Sequence, residues 1–341
     1  MKLAAGLPYG GDPHDSVELG RRYEALGLDM IWVPEVYTFD SVSLMGALTE
    51  ATDRIGIGSA IIPLYSRTPT MIAMTAAGID ALSGGRFTLG LGASGPQVVE
   101  GWHGVAYDHP LGRTRETVEI CRKVWRREVL VHEGRHHPLP HRGGTGLGKP
   151  LKLINTPVRE RIPIFLASLG SGNVALTAEI AEGWLPAFFH PDRADEVWGD
   201  SLAAGLGRRH SDLGPLEISA SCQAAVCSLE AAPALRDLAR PRTALYVGGM
   251  GAKGHNFYNT LFARYGFERE AELIQALYLA GRRSEAEAAV PDEFLEAVHL
   301  IGDEGFVRER FEAFRVAGVT MLDLTLVGPD QGRTIDFLRS L

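Results

Sequence analysis

Cysteine is scarce: 341 residues hold only Cys121, Cys222 and Cys227. None forms a CxxC pair or stands beside a histidine at metal-ligand spacing, so they build neither a disulfide framework nor a zinc site. Positive charge is short as well, 34 Lys and Arg against 42 Asp and Glu, a formal net charge of -8. A nucleic-acid or anionic-membrane surface needs clustered cations to neutralise phosphate, and this balance argues against both. No stretch reaches the roughly 18 uninterrupted apolar residues of a membrane span. Met1–Gly6 runs straight into Pro8 and Gly10, without the basic flank and apolar length of a signal peptide. These absences leave a cytoplasmic protein with a small-molecule substrate as the expectation.

What is present is a rhythm. Short apolar runs alternate with helical patterns, the signature of βα units around a parallel sheet. Eight strands are expected, at 2–6, 30–33, 55–60, 86–92, 162–167, 183–187, 217–227 and 321–327. The intervening helices carry apolar residues at helical spacing, as Val17, Leu19, Tyr23 and Leu26 do, and Pro69 opens one where a missing N–H costs nothing. Two architectures fit, a closed barrel and an open doubly wound sheet. A dinucleotide-binding sheet places GxGxxG after its first strand, and none is there, so the expected fold is a (β/α)8 TIM barrel. It reads as one unit over 1–341, with insertions near 93–161 and 230–298. The first insertion holds a hairpin around Glu133-Gly134 and a Gly-rich loop at 141–149.

In such a barrel the working groups stand on loops at the carboxyl ends of the strands. Here those loops read Pro34-Glu35-Val36-Tyr37, Ala60-Ile61-Ile62-Pro63, Ala93 to Gly104, and Ser168-Leu169-Gly170-Ser171-Gly172-Asn173. In the last, glycines and small hydroxyls lead directly into a helix. Its first N–H groups and the positive end of its dipole suit a phosphate, unless Ser171 or Asn173 caps them. Histidines 132, 136, 137 and 141 cluster in a polar hairpin whose spacing fits no closed metal set, so no metal is expected.

Five stretches carry a family likeness: WVPE at 32–35, GSAIIPLYSRTP at 58–69, SGGRFTLGLGASGPQVVEGWHG at 83–104, IFLASLGSGNVALTAEIAEGWLP at 164–186, and GGMGAKGHNFYN at 248–259. With them the chain resembles the luciferase-like monooxygenase superfamily, specifically its branch of oxidoreductases using the deazaflavin coenzyme F420, to which methylenetetrahydromethanopterin reductase belongs. The resemblance implies hydride transfer between F420 and a small organic substrate with a C=N or C=C bond. An FMN-dependent monooxygenase of the same superfamily is the alternative. It also implies a homodimer.

By matching position, the resemblance puts a non-proline cis peptide and a ring-supporting bulge at Ala60 and Ile61. It puts Ala93, Ser94 and Gln97 against the ring and its side chain, the phosphate on Leu169, Gly170, Ser171 and Asn173, and Glu35 at the ring's polar edge. Sugar-phosphate dehydrogenases of the superfamily carry a catalytic His where this chain has Val36, and their catalytic Glu falls near Gly95. Such a substrate is therefore not expected. Close relatives have Pro-Lys at the place of Ser171-Gly172, so one positive charge near the phosphate is missing. Hydride transfer to C=N or C=C also needs a proton, and Glu35, Tyr37 and His103 are the catalytic candidates, with Glu100 more suited to a structural bond. Arg67 either meets an acidic cofactor tail or caps a loop.

Overall fold

A computed structural model describes residues 1–341. Ten strands form: β1 (Lys2–Gly6), β2 (Met30–Val33), β3 (Gly56–Ser59), β4 (Ile62–Pro63), β5 (Phe87–Gly92), β6 (Ile164–Ala167), β7 (Gly183–Leu185), β8 (Glu217–Val226), β9 (Leu300–Gly302) and β10 (Met321–Leu326). All pairings between them are parallel, and β10 joins both β8 and β1, which closes the ring. Eight strands make the barrel expected from the sequence. The other two are additions: β4 continues β3 beyond a break, and β9, not foreseen, pairs with the carboxyl end of β8 through Ala224 and Leu300.

The helices begin where short polar side chains satisfy their first N–H groups. Asp12, Asp40 and Thr68 each cap a helix, and Pro69 follows Thr68 in the first turn. Between strands and helices lies a continuous core of 67 buried residues, which carries the stability of the shell.

Inside the ring the packing is asymmetric. Ladder partners face the same way, so the register places Met30, Trp32, Phe165 and Met321 in the lumen together with Gly58 and Gly183. A Cβ on Gly58 would lie 2.3 Å from the Trp32 ring, and one on Gly183 2.4 Å from Phe165. Glycine on one strand thus makes room for the ring on its neighbour. The two aromatic rings, 5.6 Å apart, form the floor beneath the carboxyl-end mouth.

The break after β3 has a clear cause in register. Gly58 pairs with Thr88 and Ile62 with Leu91, four residues on one side against three on the other. One residue is extra, so the chain bulges. Ser59 repairs the ladder there: its Oγ donates to the Gly90 carbonyl at 2.8 Å and accepts from the Gly90 N–H at 2.9 Å. Gly90 has to be glycine, because a Cβ would sit 1.8 Å from the Ser59 carbonyl oxygen. The Ala60–Ile61 peptide at the crest of the bulge is cis.

The insertion between β5 and β6 contains the expected hairpin, reduced to one antiparallel bridge between His132 and Leu139. Glu116 holds its tip, its carboxylate accepting the N–H groups of Arg135, His136 and His137. The histidine run is thus ordered by a carboxylate on the neighbouring helix. No group of three His, Cys, Asp or Glu side chains is arranged to hold a metal ion. No helix is long and apolar enough to cross a membrane.

Candidate active site

The mouth of the barrel divides into two arcs. Over β3 to β6 the side chains are small. Ala60, Ala93 and Ser94 keep part of their surface exposed, and a Cβ added to Gly95 or Gly170 would meet nothing within 4 Å. Ser94 has φ near 60° and Phe188, past β7, φ near 51°. Left-handed backbone at a non-glycine residue costs about 1–3 kcal/mol and is tolerated where surroundings enforce it, often at functional sites.

At the end of β6 the chain enters the helix Ser171–Ile180 through Gly170. No side chain caps it, and the first bond inside it runs from the Val174 N–H to the Gly170 carbonyl. The N–H groups of Ser171, Gly172 and Asn173 therefore have no protein acceptor and face outward with the positive end of the dipole. Neither Ser171 nor Asn173 plays the capping part the sequence left open. These are three donors at the end of a helix, with no side chain over them, and they fit a phosphate.

Glu35, just past β2, is bonded through both oxygens to groups of the protein. Its Oε1 meets Arg67 Nη1 at 2.5 Å, and its Oε2 accepts from Arg67 Nη2 at 3.0 Å, the Ser41 hydroxyl at 2.6 Å and the Ser41 N–H at 2.9 Å. Burial pushes this carboxyl up, but the bonds from Arg67 and Ser41 outweigh burial and hold it below the usual carboxylate range. Both oxygens are committed, and Arg67 has its partner within the protein. The pair joins the ends of β2 and β3, braces the bulge, and leaves Glu35 no proton to give.

Tyr37 and Trp102 meet across the rim with ring centroids 6.3 Å apart, both well exposed, and the Tyr37 hydroxyl bonds to no protein group. Beside Trp102, His103 keeps Nε2 buried and without a partner. Glu100 accepts the Tyr107 N–H at 3.2 Å, a turn contact. Gln97 is exposed and Leu169 is partly buried at the two ends of this arc. The structure thus gathers Ala60, Ile61, Ala93, Ser94, Gln97 and the 169–173 turn onto one side of the mouth.

The opposite arc was not read from the sequence as part of a site. Ser219, Ser221 and Gln223 on β8 stand in register with Met321, Asp323 and Thr325 on β10, all turned into the lumen. Trp32 Nε1, Ser219 Oγ, Gln223 Oε1, His299 Nε2 and Asp323 Oδ1 are buried here without hydrogen-bond partners, five of eleven such atoms in the whole chain. Burial raises the Asp323 carboxyl to about 6, opposed in part by Arg242 and the Gly6 N–H. The alternation of polar and apolar residues in β8 and β10 was the available signal. Polar residues at every second position of a barrel strand face its lumen.

The sequence pattern of the luciferase-like monooxygenases matches residues 1–321. A protein of Mycobacterium tuberculosis, provisionally named a coenzyme F420-dependent oxidoreductase, is 40% identical over 98% of each chain. The 5,10-methylenetetrahydromethanopterin reductase of Archaeoglobus fulgidus is 27% identical, over 92% of this chain and 90% of its own. Among solved structures, the coenzyme F420-dependent tetrahydromethanopterin reductase of Methanopyrus kandleri superposes with a TM-score of 0.79 at 20% identity, covering 99% of this chain and 96% of that one.

Proposed function

The chain belongs to the luciferase-like monooxygenase family, and on that premise we propose that it is a coenzyme F420-dependent oxidoreductase acting on a C=N or C=C bond of a small organic substrate. The observation that carries the reading is the uncapped start of the helix Ser171–Ile180, with three free N–H groups beside an arc of small side chains. The 40% identity to the mycobacterial relative supports the deazaflavin over FMN. When bound, F420 supplies a two-electron hydride donor or acceptor.

The protein's own residues position and polarise. Gly170, Ser171 and Asn173, with Leu169, hold the phosphate; Ala93, Ser94 and Gln97 line the ring and its side chain; Ala60 and Ile61 buttress it from the bulge. Trp32 and Phe165 close the lumen below and keep water from that side. Glu35 positions Arg67 and the bulge. His103 and Tyr37 remain the candidates for moving a proton, His103 through its unpartnered Nε2 and Tyr37 through its free hydroxyl.

The test is anaerobic titration of the purified protein with F420 and with FMN, followed by absorbance, and then turnover of reduced F420 with imine and enone acceptors. F420 binding with acceptor-dependent oxidation is expected. Tight FMN binding with oxygen consumption would establish the monooxygenase reading instead, and no binding of either would remove the enzymatic account.

A further inference from the structure

The polar arc opposite the small-residue arc ends in a cavity of about 50 Å³, lined by Phe188, Gln223, Arg242, Tyr246, His299 and Thr325 among others. Room of this size admits a few waters or a small polar group. Its chemistry is an excess of donors. Arg242 lies in no ion pair; its guanidinium stands 5.6 Å from the centre of the Tyr246 ring and neighbours that phenol. Tyr246 in turn shares a hydrogen bond with Tyr9, oxygen to oxygen 2.9 Å, so one of the two phenolic protons is free to point elsewhere.

His299 adds a donor whose identity is fixed by its other nitrogen. Nδ1 accepts the Gln223 N–H at 3.0 Å, so a neutral ring must carry its proton on Nε2, which has no partner. Burial keeps that ring neutral. Asp323, deeper in the lumen, feels Arg242 but lies outside ion-pair reach of it. The arc therefore offers a guanidinium without an ion-pair partner, a neutral N–H donor and a phenol.

We infer that Arg242 anchors the carboxylate of a small organic-acid substrate, with His299 Nε2–H and the Tyr9–Tyr246 pair as its neighbours. One guanidinium matches one carboxylate, two N–H groups to two oxygens; a phosphate dianion would leave charge uncompensated. The inference names a substrate class for the proposed oxidoreductase and rests on that reading only in calling the bound acid a substrate.

The experiment measures binding by calorimetry to the full chain, with crotonate, benzoate, crotonamide and inorganic phosphate as probes, each with and without F420. Crotonate or benzoate binds the wild type, crotonamide and phosphate at least tenfold more weakly, and Arg242→Ala loses at least tenfold of the carboxylate affinity while Arg242→Lys recovers part. Circular dichroism and F420 affinity report whether the variants are folded. Equal carboxylate binding by wild type and Arg242→Ala, no carboxylate binding to the wild type at millimolar concentration, or phosphate or crotonamide binding as well as crotonate, each overturns the inference. Arg242-dependent carboxylate binding in a protein that takes no F420 overturns the cofactor reading alone and supports the anion site.

Discussion

Asp323→Asn is expected to make the protein more stable at pH 8 and not at pH 4. The carboxyl faces the lumen, its Oδ1 is buried without a partner, and burial lifts its ionisation from 3.8 to about 6. A raised carboxyl means that the folded chain binds the proton more tightly than the unfolded one. Below the unfolded value both states are protonated and the residue costs nothing. Between about 4 and 6 the unfolded state ionises first, stability falls with pH, and above about 6 the cost is complete. The interval of about 2 units corresponds to at most about 3 kcal/mol. The amide keeps the shape and removes the charge. Urea unfolding of both proteins at several pH values reads the difference directly. A gain that grows between pH 4 and pH 7 and then levels off is expected; a gain independent of pH, or a loss at pH 8, would refute the account of this carboxyl. Keeping an acid at such a cost makes sense if the mouth uses its polarity, so the stabilised variant should also turn over more slowly.

Three further outcomes follow from the rim. Gly170→Asp adopts the existing extended backbone, φ -72°, without a clash and supplies the missing cap, so thermal stability should hold or rise by a few tenths of a kcal/mol while F420 binding is lost; retained affinity would remove the phosphate role. Glu35→Ala strips Arg67 of its partner in a mostly buried pair and should cost about 3 kcal/mol, measured by urea unfolding. Because the wild-type carboxyl is held low, that pair's contribution is present above the usual carboxylate range and disappears as pH falls through the lowered value. Ser59→Ala leaves the Gly90 N–H and carbonyl without their bridge and should cost about 2 kcal/mol, together with weaker F420 binding as the bulge loosens; an unchanged unfolding midpoint would show that the bulge does not depend on this hydroxyl.

The strands and the small-residue arc were legible because both are local. Apolar runs of four to six residues and Gly170 opening a helix are both features of adjacent positions. Other features depend on which distant segments meet. Glu35 and Arg67 are 32 residues apart, and their pairing follows from β2 and β3 being neighbours with their ends side by side. The carboxylate therefore braces the bulge. Arg242 lies in the helical excursion after β8, and nothing in its own stretch of sequence marks it as the charge that reaches the cavity. β9 was hidden for a different reason: three residues, Leu300–Gly302, are too few to stand out from the apolar end of the helix before them. Asp323, by contrast, was readable in principle, an acid between leucines on an alternating strand.

The central claim is that a phosphate sits on the first turn of the helix Ser171–Ile180. Amide resonances of Ser171, Gly172 and Asn173, followed in isotope-labelled protein during F420 titration, test it most directly. These three should shift together, saturate at the affinity seen by absorbance, and stay unmoved in Gly170→Asp. If F420 binds while they remain in place, the cofactor is held elsewhere and the assignment of this rim is wrong.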